Sequence, residues 1–96
     1  MKILAIDKLK DGVTRENLNP YMKKELLCSW ELYKSGKIRE MYNIGGVPSV
    51  AFIFDCESIE EAQQLTNELP MVKAGLIEFS FLSLEPFTDW EELWNK

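Results

Sequence analysis

Carboxylates on predicted strands are the side chains of this sequence that are best placed to do chemistry. The chain has no histidine, which removes Ser-His and Cys-His nucleophile pairs and most transition-metal sites. A half-buried carboxylate with a raised pKa can both take and return a proton. Glu78 is the strongest catalytic candidate, because its strand face is otherwise apolar (Leu76, Leu82, Leu84). The alternative for Glu78 is an ion pair or an edge-exposed carboxylate, since a charge among apolar residues is usually paired.

Other side chains could line the same cavity. Glu40, a second catalytic candidate, and Tyr42, a candidate for ligand binding, alternate onto one face of a predicted strand, and a solvated edge strand is the alternative. Asp7 ends the first strand, where the mouth of a barrel would be, although a turn or a lysine partner would also explain it. Trp30 and Tyr33 would wall the pocket from a helix, but aromatics at helical spacing are also typical of a core.

Neither a metal nor a cofactor is expected from the residue types. Cys28 lies in a helical pattern and Cys56 at a strand end, and buried free thiols are the simplest interpretation of both. A redox role for them stays open. The acidic run Glu57, Glu60 and Glu61 is typical of a solvated helix start favoured by the helix dipole. Any chemistry therefore depends on carboxylates, lysine, arginine, tyrosine or cysteine.

Composition favours one globular domain that does not bind nucleic acid. The chain has 96 residues, 46% of them hydrophobic, and 16 acidic against 11 basic residues give a net charge of −5. A surface with that balance repels a phosphate backbone. No apolar run approaches the length of a membrane span, and the first residues form no apolar signal core. A cytoplasmic location without membrane association is the expectation.

The clearest unit of secondary structure is a strand followed by a capped helix. Val50 to Phe54 is an apolar run rich in β-branched and aromatic residues, which indicates a buried strand. Ser58 can cap the next helix, and Glu61 can reach back to the Ser58 amide. The apolar side chains of this helix recur on one face, and Pro70 is expected to end it.

The first half of the chain predicts a strand, a helix and a strand. Residues 2 to 9 form a strand with apolar residues on both faces. Pro20 either begins the main helix, with Asn19 as its cap, or kinks a longer one. The apolar side chains Met22, Leu26, Trp30 and Tyr33 recur at three or four residues, and Gly36 stops the helix. Residues 37 to 44 then alternate as a half-exposed strand, with Ile38, Glu40, Tyr42 and Ile44 on one face.

The element order predicts a ferredoxin-like βαββαβ fold. In this α+β arrangement two helices cover one face of a four-stranded antiparallel sheet. Because several strands, including residues 76 to 84, have apolar residues on both faces, a bare sheet face would be a large exposed patch. We therefore expect a homodimer whose sheets pack face to face. The single domain comprises a core of residues 1–84 and an extension of residues 85–96, in which Phe87, Trp90 and Trp94 suggest a short helix that needs a groove on this subunit or its partner.

Four segments resemble the muconolactone isomerase family of the dimeric α-β barrel superfamily. They are ELYKSGK at residues 31–37, IFDCES at 53–58, NELP at 67–70 and VKAGLIEF at 72–79. The pattern LP-x-x-x-x-G-L is also shared by small proteins of the superfamily with unassigned activity. The resemblance implies a dimeric barrel, which can also be built into higher oligomers, with a ligand cavity near the sheet and first helix. Glu25 and Glu78 align with glutamates of these isomerases, which adds Glu25 to the ligand-binding candidates.

The chain also departs from the isomerases near the predicted site. These enzymes have basic and aromatic side chains on the strand after SGK, where this chain has Glu40, Tyr42 and Asn43. Two functions follow as hypotheses. The first is a cofactor-independent isomerase that transfers protons through carboxylates. The second is a non-enzymatic module for ligand binding or assembly. In both cases the expected partners are a second copy of the chain and a small apolar or weakly polar organic ligand.

Overall fold

The computed structural model describes residues 1–95 and shows a four-stranded antiparallel sheet with its helices on one side. In chain order the elements are β1 (Lys2–Leu9), α1 (Arg15–Leu18), a 3-10 turn (Asn19–Tyr21), α2 (Met22–Lys34), β2 (Ile38–Ile44), β3 (Ser49–Asp55), α3 (Ile59–Asn67), α4 (Pro70–Lys73), β4 (Ile77–Leu84) and a 3-10 helix (Asp89–Leu93). The strand order is β2-β3-β1-β4, with antiparallel neighbours throughout. This is the predicted ferredoxin-like arrangement, and no helix among the described residues is long and apolar enough to cross a membrane.

The core lies between the sheet and the helices. Because side chains alternate along a strand, Ile3 and Ala5 of β1 share this face with Phe52 and Phe54 of β3, their cross-strand partners. Ala62 of α3 closes the core from the helix side. The buried run of β3 thus has the position predicted from its composition.

A β-bulge in β2 changes which side chains share a face. The register shifts between Ile38 and Glu40, so the prediction that these two side chains share a face is wrong. The extra residue, Arg39, lets Ile38 point into the core while Glu40 points to the other side. The bulge also puts Met41 and Asn43 on the helix side of the sheet. The pairs across to β3 are Ile38 with Phe54, Glu40 with Ile53, Met41 with Phe52 and Asn43 with Val50.

The start of α3 is capped differently from the predicted capping box. The Ser58 hydroxyl accepts a hydrogen bond from the Glu61 amide at 3.1 Å, as expected. The Glu61 carboxylate, however, accepts from the Glu57 amide at 2.8 Å and from Lys37 Nζ at 2.8 Å, and not from the Ser58 amide. Lys37, the residue before β2, is therefore linked to α3 by its ion pair with Glu61.

Pro70 starts a helix, which corrects the expectation that it only ends one. Helix α3 already ends at Asn67, and Pro70 is the first residue of α4. Proline suits this position because its missing N–H would have no helical partner there. The next residue, Met71, is buried, and its backbone amide donates a hydrogen bond to Glu25 of α2.

Helix α2 packs on the sheet with a different face from the apolar one. Ser29 is buried and Glu25 and Cys28 are half-buried. Met22, Leu26, Trp30 and Tyr33, here called the outer stripe, are 39% to 59% exposed, and Trp30 stacks on Tyr33 at 5.9 Å between ring centroids. The inference that this periodic apolar face belongs to the core of the single chain is therefore wrong.

The sheet face opposite the helices, here called the open sheet face, has exposed apolar side chains. Leu82 is 58% exposed, and Tyr42 and Leu84 are exposed as well. Leu4 and Ile6 of the central strand are only half-buried on this face. Apolar residues on both faces of the sheet were predicted, and the structure confirms them.

Residues 85–95, here called the C-terminal arm, extend beyond the sheet. Phe87, Trp90, Leu93 and Trp94 are 63% to 73% exposed, and the predicted short helix is a 3-10 helix. The radius of gyration is 15.7 Å, against about 12.5 Å for a compact chain of this length. Lys96, the last residue of the predicted extension, lies outside the described residues.

Candidate functional site

A cleft of about 820 Å³ opens on the helix side of the sheet. Helices α1 and α2 form one wall, and β2, β3 and the loop between them form the other. Its floor includes Asp7 of β1 and Phe52 of β3, while Arg15, Met22 and Leu26 are among the residues that line it from the helices. A volume of this size suits a small organic molecule.

Asp7 lies at the bottom of the cleft because it follows Ile3 and Ala5 on the helix side of β1. Its Oδ1 atom accepts hydrogen bonds from the Val50 amide at 2.8 Å and from the Ser49 hydroxyl at 3.1 Å. Ser49 also contacts the Asp7 carbonyl oxygen. Burial raises the pKa of Asp7 above its usual value, and the hydrogen bonds from Val50 and Ser49 only partly oppose this rise.

Glu25 reaches the same cleft from α2. Its Oε1 atom accepts a hydrogen bond from the Met71 amide at 2.9 Å, at the start of α4. Burial is the main cause of a raised pKa at Glu25, and the negative charge of Asp7 raises that pKa further, while the Met71 amide lowers it. Burial therefore raises the pKa of both carboxylates, and the charge of Asp7 adds to this rise at Glu25.

One oxygen of each carboxylate remains free to meet a ligand. The hydrogen bonds above use Asp7 Oδ1 and Glu25 Oε1. In residues 1–95 no side-chain nitrogen or oxygen is buried without a hydrogen-bond partner. The second oxygens, Asp7 Oδ2 and Glu25 Oε2, therefore keep access to solvent and can accept a proton or a hydrogen bond from a molecule in the cleft.

The two catalytic candidates predicted from the sequence lie outside this cleft. Glu78 is on the open sheet face, 49% exposed in its side chain, and forms an ion pair with Lys8 at 3.3 Å; it also borders a smaller depression of about 320 Å³ beside α3. Glu40 is on the same open face, where it accepts a hydrogen bond from the Tyr42 hydroxyl. Because β2 and β4 are the two edges of the sheet, the structure does not bring Glu40 and Glu78 together.

The ligand-binding candidates divide into two groups. Asp7 and Glu25 line the cleft, and Tyr42 borders it at the edge strand β2. The Tyr42 hydroxyl lies on the open sheet face, where its hydrogen bond to Glu40 raises the pKa of Tyr42. Trp30 and Tyr33 belong to the outer stripe and do not line the cleft. The structure therefore assembles a site from the first group alone.

Several lining residues have no direct signal in the sequence. Met41 and Asn43 enter the cleft because of the bulge in β2, and strict alternation assigns them to the wrong side of the sheet. Ser49 was also missed, although a hydroxyl next to a buried strand is a common partner for a carboxylate. Arg15 is a cleft residue that only the placement of α1 reveals.

The cysteines lie away from the cleft as free thiols, as expected. Cys28 is half-buried and Cys56 is buried, and burial is the main cause of a raised pKa at the Cys56 thiol. A thiol held protonated in this way is a poor nucleophile. Within residues 1–95 no group of three or more cysteine or carboxylate side chains is arranged to hold a metal ion.

An α+β ferredoxin-like sheet with an acidic cleft between sheet and helices defines the structural class of this protein. The sequence matches no protein-family model and no curated protein. Among solved structures, it is similar to 5-chloro-2-hydroxyhydroquinone dehydrochlorinase (TftG) from Burkholderia phenoliruptrix AC1100, in complex with 2,5-dihydroxybenzoquinone. The TM-score is 0.71 at 19% identity, covering 88% of this chain and 94% of that one. This likeness shows the ferredoxin-like α+β fold and does not single out the muconolactone isomerases.

Proposed function

We propose that this protein binds a small organic molecule in the cleft and uses Asp7 and Glu25 to transfer protons on it. The observation that carries the proposal is the pair of half-buried carboxylates that line the cleft, each with one oxygen held by the backbone and the other accessible to solvent. Fixed orientation and a raised pKa are the two properties that a general acid or base needs.

A cofactor-independent isomerisation fits this arrangement best. Such a reaction needs one base to take a proton and one acid to return it, and a carboxylate whose pKa is raised by burial can do either. The same negative charges favour a neutral, weakly polar ligand over an anion. TftG was solved with a hydroxylated quinone, which supports hydroxylated rings as the first ligands to test.

The functional unit that we propose is a homodimer formed through the open sheet face. Leu82, Leu84 and Tyr42 are exposed there in the single chain, and burying this face on a second sheet would remove the patch from water. Sedimentation should show a dimer at micromolar concentration. A stable monomer would contradict the face-to-face packing.

Catalysis by Glu78 or Glu40 remains a separate hypothesis. Both carboxylates lie on the open sheet face, so they could meet a substrate only in a cavity that a second sheet encloses. The cleft does not depend on either residue. Ligand binding and catalysis can therefore be assigned to one face or the other by mutation.

A non-enzymatic ligand-binding or assembly module is the second candidate function. The hydrogen bonds of the carboxylates join separate elements: Asp7 connects β1 to β3, and Glu25 connects α2 to α4. This purely architectural role would also explain why two carboxylates are half-buried. The two candidates differ in whether a bound molecule exchanges a proton.

Ligand binding is tested by NMR titration with hydroquinone, which is neutral, and with 2,5-dihydroxybenzoquinone, which is ionised at neutral pH and should bind more weakly. The amides of Val50 and Met71 donate to the two carboxylates, so their resonances should move when a ligand reaches the free oxygens. Asp7→Asn and Glu25→Gln should weaken binding, whereas Glu60→Gln on exposed α3 surface should leave it unchanged. Unmoved Val50 and Met71 amides with both compounds would refute this site for hydroxylated rings.

Proton transfer is tested with the methyl ester of muconolactone, a neutral lactone, in deuterated water. If the carboxylates act as acid and base, the protein should incorporate deuterium into the lactone, and Glu25→Gln should abolish the incorporation without unfolding the chain. Binding of the lactone without deuterium incorporation would favour the non-enzymatic module.

A further inference from the structure

The C-terminal arm carries apolar side chains that its own subunit leaves exposed. Phe87 and Trp90 touch each other, with ring centroids 5.5 Å apart, yet each is more than 60% exposed. Leu93 and Trp94 are at least as exposed. Aromatic side chains contribute most when they are buried, so the arm has the composition of a segment that docks on another surface.

The arm leaves the sheet at the end far from the cleft. Leu84, the last residue of β4, pairs with Lys2, whereas Phe79 pairs with Asp7. An eight-residue strand spans about 26 Å, but the longest dimension of the molecule is 59 Å, against 28 and 20 Å for the other two. The arm thus points away from its own cleft and is positioned to reach a neighbouring molecule.

The outer stripe of α2 is the complementary surface. It exposes Met22, Leu26 and Trp30, and the first two also line the helix side of the cleft. Lys23 and Lys34 follow residues of the stripe by one position, so on the helical wheel they border it along one side. Lys34 also forms an exposed ion pair with Glu31 at 3.2 Å, which an arm carboxylate would have to share or replace. The stripe is therefore an apolar strip with basic side chains along its edge.

The charge of the arm matches this surface. Residues 85–95 contain four acidic side chains (Glu85, Asp89, Glu91, Glu92) and no basic one. Opposite charges around an apolar contact favour one orientation and speed association. A neutral or basic arm would fit equally well on many apolar surfaces, whereas an acidic arm favours the lysine-bordered stripe.

We infer that the C-terminal arm of one chain docks on the outer stripe of a second copy and covers the mouth of its cleft. Burial of the arm aromatics removes roughly 300 to 500 Å² per arm from water, and reciprocal exchange in a twofold dimer doubles this area. The docking is inferred only from the exposure, the position and the charge of the arm and of the outer stripe. Its functional consequence, a cleft closed by the partner, rests on the ligand site proposed above.

Zero-length carbodiimide cross-linking tests the contact directly. In a mixture of unlabelled and ¹⁵N-labelled chains, the expected product links Lys23 or Lys34 to an arm carboxylate, with peptides of different label in about half of the links. Links confined to peptides of one label would show docking within one chain, and absence of such links would show no docking. Either result overturns the inference.

Charge reversal supplies a second and independent test. We expect two double variants to lower the yield of inter-chain cross-links by at least about tenfold, measured between other residues of the two surfaces. One is Glu91→Lys with Glu92→Lys in the arm, and the other is Lys23→Glu with Lys34→Glu in the helix. When the two variants are mixed, each arm meets a helix of opposite charge on the other chain, so the yield should recover. No recovery on mixing would refute docking between chains.

A Trp90→Ala, Trp94→Ala double variant separates this inference from the ligand site. It should lose the inter-chain links and release a bound ligand faster, while the Val50 and Met71 amides still respond to saturating ligand. If the Val50 and Met71 amides of the wild-type protein do not respond to the ligand, the result counts against the cleft as the ligand site. Retention of the inter-chain links in the double variant would show that the arm aromatics do not mediate docking.

Discussion

Replacement of Glu25 distinguishes its structural role from its chemical one. In the folded chain Oε1 of Glu25 accepts the hydrogen bond of the Met71 amide at 2.9 Å, and Met71 is buried. Glu25→Ala removes the acceptor and leaves a backbone donor at the start of α4 without a partner. An unsatisfied buried donor costs about 1 to 3 kcal/mol. For a domain of this size, each kcal/mol lowers the melting temperature by about 4 to 8 °C.

Glu25→Gln is the matched control. Glutamine keeps an oxygen that can accept from the Met71 amide but cannot act as a base, so we expect a free energy of unfolding within about 1 kcal/mol of wild type. Loss of the buried charge offsets part of any weakening, since burial raises the pKa of Glu25. Urea unfolding at pH 7 measures both variants. Equal stability of Glu25→Ala and Glu25→Gln would refute the role assigned to the Met71 hydrogen bond.

Three further predictions concern other residues. Burial raises the pKa of Asp7 above 3.8, so the folded chain binds the proton of Asp7 more tightly than the unfolded chain does. The resulting stabilisation is complete below about pH 4 and is lost as the pH rises through the raised pKa. Asp7→Asn, which keeps an acceptor for the Val50 amide, should flatten this part of the pH dependence of urea unfolding. Glu78→Gln should leave ligand binding in the cleft unchanged in the NMR titration, and a loss of binding or turnover would move the site to the open sheet face. Ser58→Ala removes the cap of the Glu61 amide and should cost about 1 kcal/mol by the same unfolding assay; no change would show that the hydroxyl does not stabilise α3.

The candidate site has two carboxylates fixed at its floor and an exposed helical wall that a second chain can cover. Asp7 and Glu25 are fixed by backbone amides of β3 and α4, so their positions do not depend on a ligand. Met22 and Leu26 are exposed at the opposite side. An enzyme that must exclude water during proton transfer needs such a wall to be covered, which is the role that we assign to the partner arm.

Local sequence determined the order and type of the principal elements. The apolar run of β3, the Ser58 cap and the left-handed Gly36, with φ of +84°, act over a few residues, so they can be identified without knowledge of the rest of the chain. Apolar residues on both faces of the strands likewise follow from composition. These signals were sufficient for the ferredoxin-like fold and for the expectation of a second copy.

Only the tertiary structure decided which side chains meet. The bulge at Arg39 reverses the side of the sheet on which Met41 lies, and alternation cannot anticipate one inserted residue. The choice of the Glu25 face of α2 over its apolar stripe depends on the packing of α2 against β2 and α4. Glu78 matched the local pattern of a half-buried catalytic carboxylate, but in the fold its charge is paired with Lys8 on the adjacent strand. Asp7 and Glu25 come instead from distant parts of the chain, and they line one cleft because the helix layer brings α2 over the end of β1.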